Sequence, residues 1–288
     1  MLICIYVILL THLISKVIIK TFNDLIFNGI LLSSLVPIAR PPWSSLGKKL
    51  ESAFRKALFD YQLLKDTSKV AVALSGGKDS LTLLFLLKAI SGRGFPDLDI
   101  HAIHVDGEFS CGAGLAKNYL QEICQELGVA FTNCLSSQTA ETLECYRCSR
   151  ERRKLIFDTA KDLGISTIAF GHHRDDSVQT LLMNLLHKGE FSANLPKIRM
   201  HDYGVTIIRP LIYISEENIR TFSKQQNFSR ITCQCPIGQN SMRKKVEQLL
   251  GDIESLYPNA RANIAQAGRL YGSDKAALPP NKKSSLPN

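Results

Sequence analysis

The run VAVALSGGKDSLTLLFLL, residues 70–87, joins one apolar segment to another through two glycines and Lys-Asp-Ser. A short Val/Ala/Leu block ending in Gly-Gly predicts a buried parallel strand, and the Leu-rich block after it predicts a buried helix. A tight strand-to-helix turn aims free backbone N–H groups at one point. Ser75, Gly76, Gly77 and the first helical turn therefore form a candidate anion site, because the helix dipole favours negative charge there and glycine admits a phosphate to the backbone. A Walker A loop needs Gly where Val72 stands and Ser or Thr where Asp79 stands, and G-x-G-x-x-G is also absent. An ordinary strand-to-helix turn is the plain alternative for the glycines alone.

The hexapeptide S-G-G-K-D-S at 75–80 resembles the PP-loop of ATP pyrophosphatases, which split ATP between the α and β phosphates and adenylate a substrate oxygen. The rest of the chain has the matching rhythm. Helical patterns at 46–64, 78–91, 114–128, 149–163, 175–187 and 215–226 alternate with strand patterns at 69–75, 98–106, 129–135, 166–173 and 205–211. Such alternation predicts an α/β fold, a parallel sheet with helices on both faces, joined by right-handed crossovers. Ligands in these sheets sit beyond the carboxyl ends of the strands.

Asp106 follows the second strand, and GHHRDD (171–176) follows the fourth, so both are expected at the mouth lined by Gly76 and Gly77. Asp106 is a candidate for ribose or adenine contact. His173, Asp175 and Asp176 set a carboxylate pair beside the expected triphosphate, a donor set that suits Mg²⁺. Either aspartate also serves as a helix N-cap, and that bland role stays open.

Eight cysteines are present. Cys145 and Cys148 have metal-ligand spacing at the start of a basic helix, and Cys233 and Cys235 follow the last strand and helix. A thioredoxin-type redox pair would need no second group. Cys4, Cys111, Cys124 and Cys134 lack such spacing and are read as buried or incidental.

Over roughly residues 46–270 the chain resembles the tRNA-cytidine 2-thiolation proteins of the TtcA type. The resemblance is carried by S-G-G-K-D-S, C-x-x-C-S-R-x-R-R at 145–153, G-H-H-R-D-D at 171–176, T-L-L-M-N-L at 180–185, R-P-L at 209–211, and a late cysteine followed by Gly238-Gln239. It implies a Rossmann-like PP-loop ATPase fold, ATP with Mg²⁺, a 4Fe–4S cluster on three cysteines, and replacement of the C2 oxygen of cytidine 32 by sulfur. Carried over by position, Ser75, Gly76, Gly77, Lys78, Asp79, Ser80, Asp106 and His173 hold the nucleotide. Lys78, Asp79 and Asp176 act in catalysis, and Cys145, Cys148 and Cys233 hold the cluster. The family's late C-x-x-C is C-x-C here, which keeps Cys235 in play as the third ligand. Its glutamate in the helix after H-H-R-D-D is Gln179.

The chemistry is coherent. Adenylation turns a pyrimidine C2 oxygen into a leaving group, and three cysteines on four irons leave one iron open to deliver sulfur. Arg150, Arg152 and Arg153, with Arg147 and Lys154, lie beside C-x-x-C and are expected to bind the tRNA backbone, a solvated basic helix being the alternative. The net charge of +9 suits a polyanionic partner. A sulfur donor such as a cysteine desulfurase is a further expected partner, and a homodimer is compatible with the sequence. Two rival readings are a lysidine synthetase-like ligase, which has no need of clustered cysteines, and a zinc-stabilised nucleotide- or RNA-binding module with a closed Cys145, Cys148, Cys233, Cys235 site.

Residues 1–15 carry no Lys, Arg, Asp or Glu, but Lys16 and Lys20 break the run before a membrane span is reached, and no basic leader precedes it. Residues 1–44 are read as an extension outside the fold, with start-codon choice and a weak membrane anchor both open as explanations. No stable membrane association is expected, and the location is expected to be cytoplasmic. Residues 45–270 form the expected catalytic domain, and 271–288, with little to bury, the expected disordered tail.

Overall fold

A computed structural model describes residues 36–107, 115–137, 145–228 and 242–272. In chain order these form α1 (Ser45–Asp60), β1 (Lys69–Ala73), α2 (Lys78–Ile90), β2 (Asp99–Asp106), α3 (Leu115–Leu127), β3 (Ala130–Leu135) and α4 (Cys145–Asp162). Then come β4 (Thr167–Ala169), α5 (Arg174–Lys188), β5 (Lys197–Met200), β6 (Val205–Ile208), α6 (Glu216–Gln225), α7 (Met242–Leu256) and α8 (Ala260–Tyr271).

The strands form one sheet in the order β3-β2-β1-β4-β6-β5. β1 pairs in parallel with β2 on one side and β4 on the other, so strand order reverses at the end of β1, where the Ser75–Ser80 turn begins. Apolar burial holds the layers together. Ala71, Ile103, Val105, Ile168 and Ile207 share one face with Ile156, Phe157 and Ala160 of α4. Val70 and Val72, alternating to the other face, are fully buried where α2 packs on β1, with α1 and α6 against α2. Leu50, Phe54, Ala57 and Leu58 give α1 a single buried stripe at helical spacing.

Three features differ from the sequence-based expectation. The sheet is not wholly parallel: β5 joins β6 antiparallel, with alternate residues buried, as suits an edge strand reached by a short hairpin. The strands at 69–75 and 166–173 are shorter than their apolar patterns, and the surplus residues make the turns at the mouth. Two further helices, α7 and α8, pack on α5 through Val178, Val246, Leu250 and Ala265. A compact unit begins at Ile38. Trp43 is 8% exposed, donates from Nε1 to Glu51, and meets the Phe222 ring edge-on at 5.7 Å, because an indole gains more from this apolar site than from water. Residues 1–35 and 273–288, which carry the extension and tail readings, lie outside the described residues. Among the described residues no helix is long and apolar enough to cross a membrane.

Candidate active site

The strand-to-helix turn is built around two glycines. Gly76 has φ +84°, a left-handed conformation that glycine adopts without penalty, and its N–H donates to Ser80 Oγ at 3.2 Å. Ser80 Oγ donates in turn to the Gly77 carbonyl at 3.0 Å, so the loop is tied to its own helix from within. Gly77 is the N-cap of α2 and offers no side-chain acceptor to the first turn. The positive end of a buried helix is thereby left open at the sheet's reversal point, which is the geometry that takes an anion. A methyl built on Gly77 would meet only Ser75 Oγ, at 3.6 Å, so the space in front of the loop is clear.

GHHRDD arrives from the other side of the reversal. A methyl on Gly171 would lie 3.0 Å from both the Asp79 carbonyl carbon and the Ser80 nitrogen, so only glycine lets the two backbones approach this closely. That approach brings His173 to Asp79: Nε2 stands 3.7 Å from Asp79 Oδ1 and 3.4 Å from Asp176 Oδ2. His173 is the N-cap of α5, in a reciprocal capping box with Asp176, whose carboxylate accepts from the His173 N–H at 3.0 Å.

The expected carboxylate pair is divided. Asp175 is 3% exposed and turns away from the loop to accept from the Glu216 N–H, at 2.7 Å, at the start of α6. Asp176 faces the loop, where Arg243 of α7 reaches it at 3.1 Å. The cause is helical rotation: consecutive residues on a helix point about 100° apart, so Asp175 and Asp176 approach opposite nitrogens of His173 and meet different partners beyond it. Both aspartates thus perform the capping role left open from sequence, and Asp176 alone also lies at the mouth.

Charge at the site is tightly balanced. Lys78 Nζ lies 3.0 Å from Asp79 Oδ1 and 3.1 Å from Glu216 Oε1. Burial by itself lowers the lysine pKa, but the two carboxylates outweigh it and raise the group above its ordinary value, so Lys78 stays charged. Burial lifts the Asp79 carboxyl above the usual aspartate range against the pull of His173 and Lys78. For Asp176 burial pushes upward too, yet the neighbouring histidines, the His173 N–H and Arg243 hold it below that range. Burial and the Arg209 guanidinium push His172 down to about 3, which keeps it neutral.

The third wall comes from β2, β3 and α4. Asp106 ends β2, is 9% exposed, and accepts from the Gly107 N–H at 2.9 Å. Arg152 donates to the Val105 carbonyl at 2.8 Å, while Glu151 accepts from Ser136 and from the Ser137 N–H. These bonds pin the first turns of α4 onto the ends of β2 and β3. The helix begins at Cys145, one turn before the predicted residue 149, so the C-x-x-C segment opens it. The Cys148 thiol is free and half-buried. Cys233 and Cys235 lie outside the described residues.

Of the three tRNA-binding candidates, Arg150 and Arg153 are exposed, and Arg153 bonds within its own helix, to Ser149. Arg152 is different, since its guanidinium is taken up by β2 and is half-buried. Two cysteines set aside from sequence are explained: burial raises the Cys124 thiol to about 12, and Cys134 Sγ sits 3.0 Å from Thr159 Oγ1. Glu216 and Arg243 were not foreseen, because each reaches the mouth from a segment remote in sequence. The only local signal for Glu216 was Ser215-Glu216-Glu217, a helix start with an acidic first turn. Gln179 donates to Glu247 of α7 at 2.7 Å, an acceptor that a glutamate at 179 would repel.

Comparison with known proteins agrees with this architecture. Residues 46–246 match the model of the PP-loop domain family ATP_bind_3. The chain is 34% identical to a protein of Sorangium cellulosum named tRNA-cytidine(32) 2-sulfurtransferase, with 77% of this chain and 81% of that one covered. A protein of Dechloromonas aromatica with the same name is 35% identical over 77% and 79%. Among solved structures, the U34-tRNA thiolase NcsA of Methanococcus maripaludis with its [4Fe-4S] cluster superposes with a TM-score of 0.61 at 23% identity, covering 77% of each chain, a likeness of fold. The chain belongs to the PP-loop family that contains the tRNA-cytidine(32) 2-sulfurtransferases.

Proposed function

We propose that this protein thiolates cytidine in tRNA at the expense of ATP. The observation that carries the reading is spatial: the uncapped start of α2 and the C-x-x-C turn of α4 are fixed over the ends of neighbouring strands of one sheet. That arrangement supports a mouth shared by ATP and cysteine chemistry.

The residues support a two-stage reaction. In the first, the cytidine C2 oxygen attacks the α-phosphorus of ATP, the bond to the β-phosphate oxygen breaks, and pyrophosphate departs. The N–H groups at the start of α2 receive that charge, and Lys78, leaving Glu216, neutralises it. Asp79 and Asp176 flank His173 and are the carboxylates placed to hold Mg²⁺, which needs few protein ligands when phosphates and water complete its shell. Asp106 takes the ribose end. In the second stage sulfur displaces AMP, which leaves with the former C2 oxygen.

Among the described residues no group of three His, Cys, Asp or Glu is arranged to hold a metal ion, and a cluster on Cys145 and Cys148 would take its third ligand from elsewhere. Cys233, with Cys235 as the competitor, fits that need: the chain re-enters the described fold at Met242, and Arg243 touches Asp176. Bound there, a 4Fe–4S cluster would supply the sulfur-transfer chemistry. Arg150 and Arg153 present charge to the tRNA backbone beside the mouth. A cysteine desulfurase is a fitting sulfur source, and dependence on ATP and tRNA points to the cytoplasm.

The test is Gly77→Val. A branched side chain would fill the clear space before the loop while disturbing little else. Pyrophosphate release with tRNA and 2-thiocytidine in hydrolysed tRNA should both disappear, with the visible absorption of anaerobically purified protein retained. Unchanged tRNA-dependent pyrophosphate release would remove the loop from the mechanism.

A further inference from the structure

His104 of β2 is fully buried, takes no part in the chemistry above, and has an unusual pair of neighbours. Its Nδ1 lies 2.7 Å from the carbonyl oxygen of Leu74, the residue that leads into Ser75. A carbonyl only accepts, so Nδ1 carries the proton and donates. The other ring nitrogen, Nε2, is then an unprotonated acceptor in the neutral ring, and it is buried without a partner among the described residues. Burial holds the imidazole below its ordinary pKa, in keeping with that neutral form.

Directly across the β2–β3 pairing, in register with His104, stands Asn133, whose Oδ1 is also buried and has no partner among the described residues. Register partners on adjacent parallel strands project from the same face. A buried acceptor without a donor is unfavourable, and half a turn of the amide would offer Nδ2–H in place of the orphaned Oδ1 on the face that carries the Nε2 lone pair. Phe131, stacked on the imidazole at 6.4 Å, restricts the ring.

We propose that His104 is a positioning residue of the ATP loop, with Asn133 fixing its tautomer and its Nδ1–H fixing the Leu74 carbonyl. The consequence is mechanical. Gly76 is free to adopt several conformations, so the chain just before it needs an external anchor if the loop N–H groups are to stay aimed at one phosphate. β1 ends at Ala73, and the Leu74 N–H still bonds to the Ile103 carbonyl, which leaves the Leu74 carbonyl as the last backbone group before the loop to be held. His104 supplies that hold from the neighbouring strand.

The inference rests on the ATP reading of the loop, and the test separates the two. Protein labelled with ¹⁵N in the histidine rings should show one imidazole, absent from His104→Asn, with Nδ1 protonated and Nε2 bare; the Nε2–H tautomer would overturn the proposal whatever ATP does. ATP dissociation constants then follow for three variants. His104→Phe keeps a ring but no donor and should weaken ATP binding about tenfold. His104→Gln sets its amide at the Nε2 position and should match it. His104→Asn sets an N–H near the Nδ1 position and should bind within about twofold of the parent. Should His104→Phe fail to fold, the contrast between Gln and Asn decides; parental affinity in the Gln variant overturns the anchor. Insensitivity of ATP binding to Gly77→Val would instead count against the loop assignment.

Discussion

Gly171 lies so close to Asp79 that a single methyl group on it would stand 3.0 Å from the Asp79 carbonyl carbon. One backbone contact therefore sets the distance between the loop and the His173–Asp176 cap. Gly171→Ala should push α2 and α5 apart, lowering stability by about 1–3 kcal/mol, the usual range for overpacking. The ATP KM should rise more than kcat falls, since the anion site loses its register while its groups remain. Urea denaturation and steady-state pyrophosphate release measure the two effects. A variant with parental stability and KM would mean that the loop and the cap are independent.

Asp176 links stability to pH in a defined direction. Its folded pKa is held below the unfolded value, so the folded state favours the carboxylate. The stability gained is fully present above the ordinary aspartate pKa of about 3.9 and is lost as pH falls below that value through the lowered folded pKa. Asp176→Asn removes the gain, together with half of the capping box, and should cost about 1 kcal/mol at pH 7. The stability difference between parent and variant should narrow in acid. A constant difference down to pH 3 would contradict the assignment of the lowered pKa to this group.

The three arginines of α4 should separate into two behaviours. Replacing exposed Arg150 and Arg153 by Ala should weaken tRNA binding and reduce its salt slope, by up to about 0.9 for each phosphate no longer neutralised. Arg152→Ala should instead destabilise the end of β2 by about 1 kcal/mol, because the Val105 carbonyl loses its donor. Binding titrations across salt concentrations, beside thermal melts, distinguish them. Equal salt slopes for the Arg150/Arg153 double variant and the parent would return this helix to an ordinary solvated surface.

What could be read from sequence and what could not divides along a physical line. The Ser75–Ser80 turn was legible because a strand, two glycines and a helix are adjacent in the chain, and local pattern determines their geometry. The alternating layers were legible for the same reason. β5 was not, since four residues of mixed polarity carry too little pattern to mark an edge strand. The different duties of Asp175 and Asp176 depend on where α5 starts, a matter of one residue. Glu216 and Arg243 reach Lys78 and Asp176 only after distant helices pack, and the Arg152 bond to Val105 depends on how α4 lies over β2. Such contacts belong to tertiary structure, where the side-chain type alone states no partner.

The C-x-C departure separates the iron–sulfur reading from the zinc one. A cluster with one open iron needs three cysteines, so beside Cys145 and Cys148 only one of Cys233 and Cys235 is required. Cys233→Ser should lose iron, labile sulfide and thiolation, and Cys235→Ser should keep most of each. A closed tetrahedral zinc site requires every thiolate, and its metal contributes folding energy, so both variants would then lose metal and stability alike. Cys148→Ser provides the internal standard: its position in the first turn of α4 is described, and either metal model requires it. Iron and sulfide analysis of anaerobically purified proteins, with thermal melts, reads all three variants. Zinc without iron in the parent, with matching losses in the Cys233 and Cys235 variants, would replace the thiolation reading by the zinc-stabilised module. If the damage falls on Cys235→Ser alone, the three-cysteine cluster stands and the third ligand moves two residues along the chain.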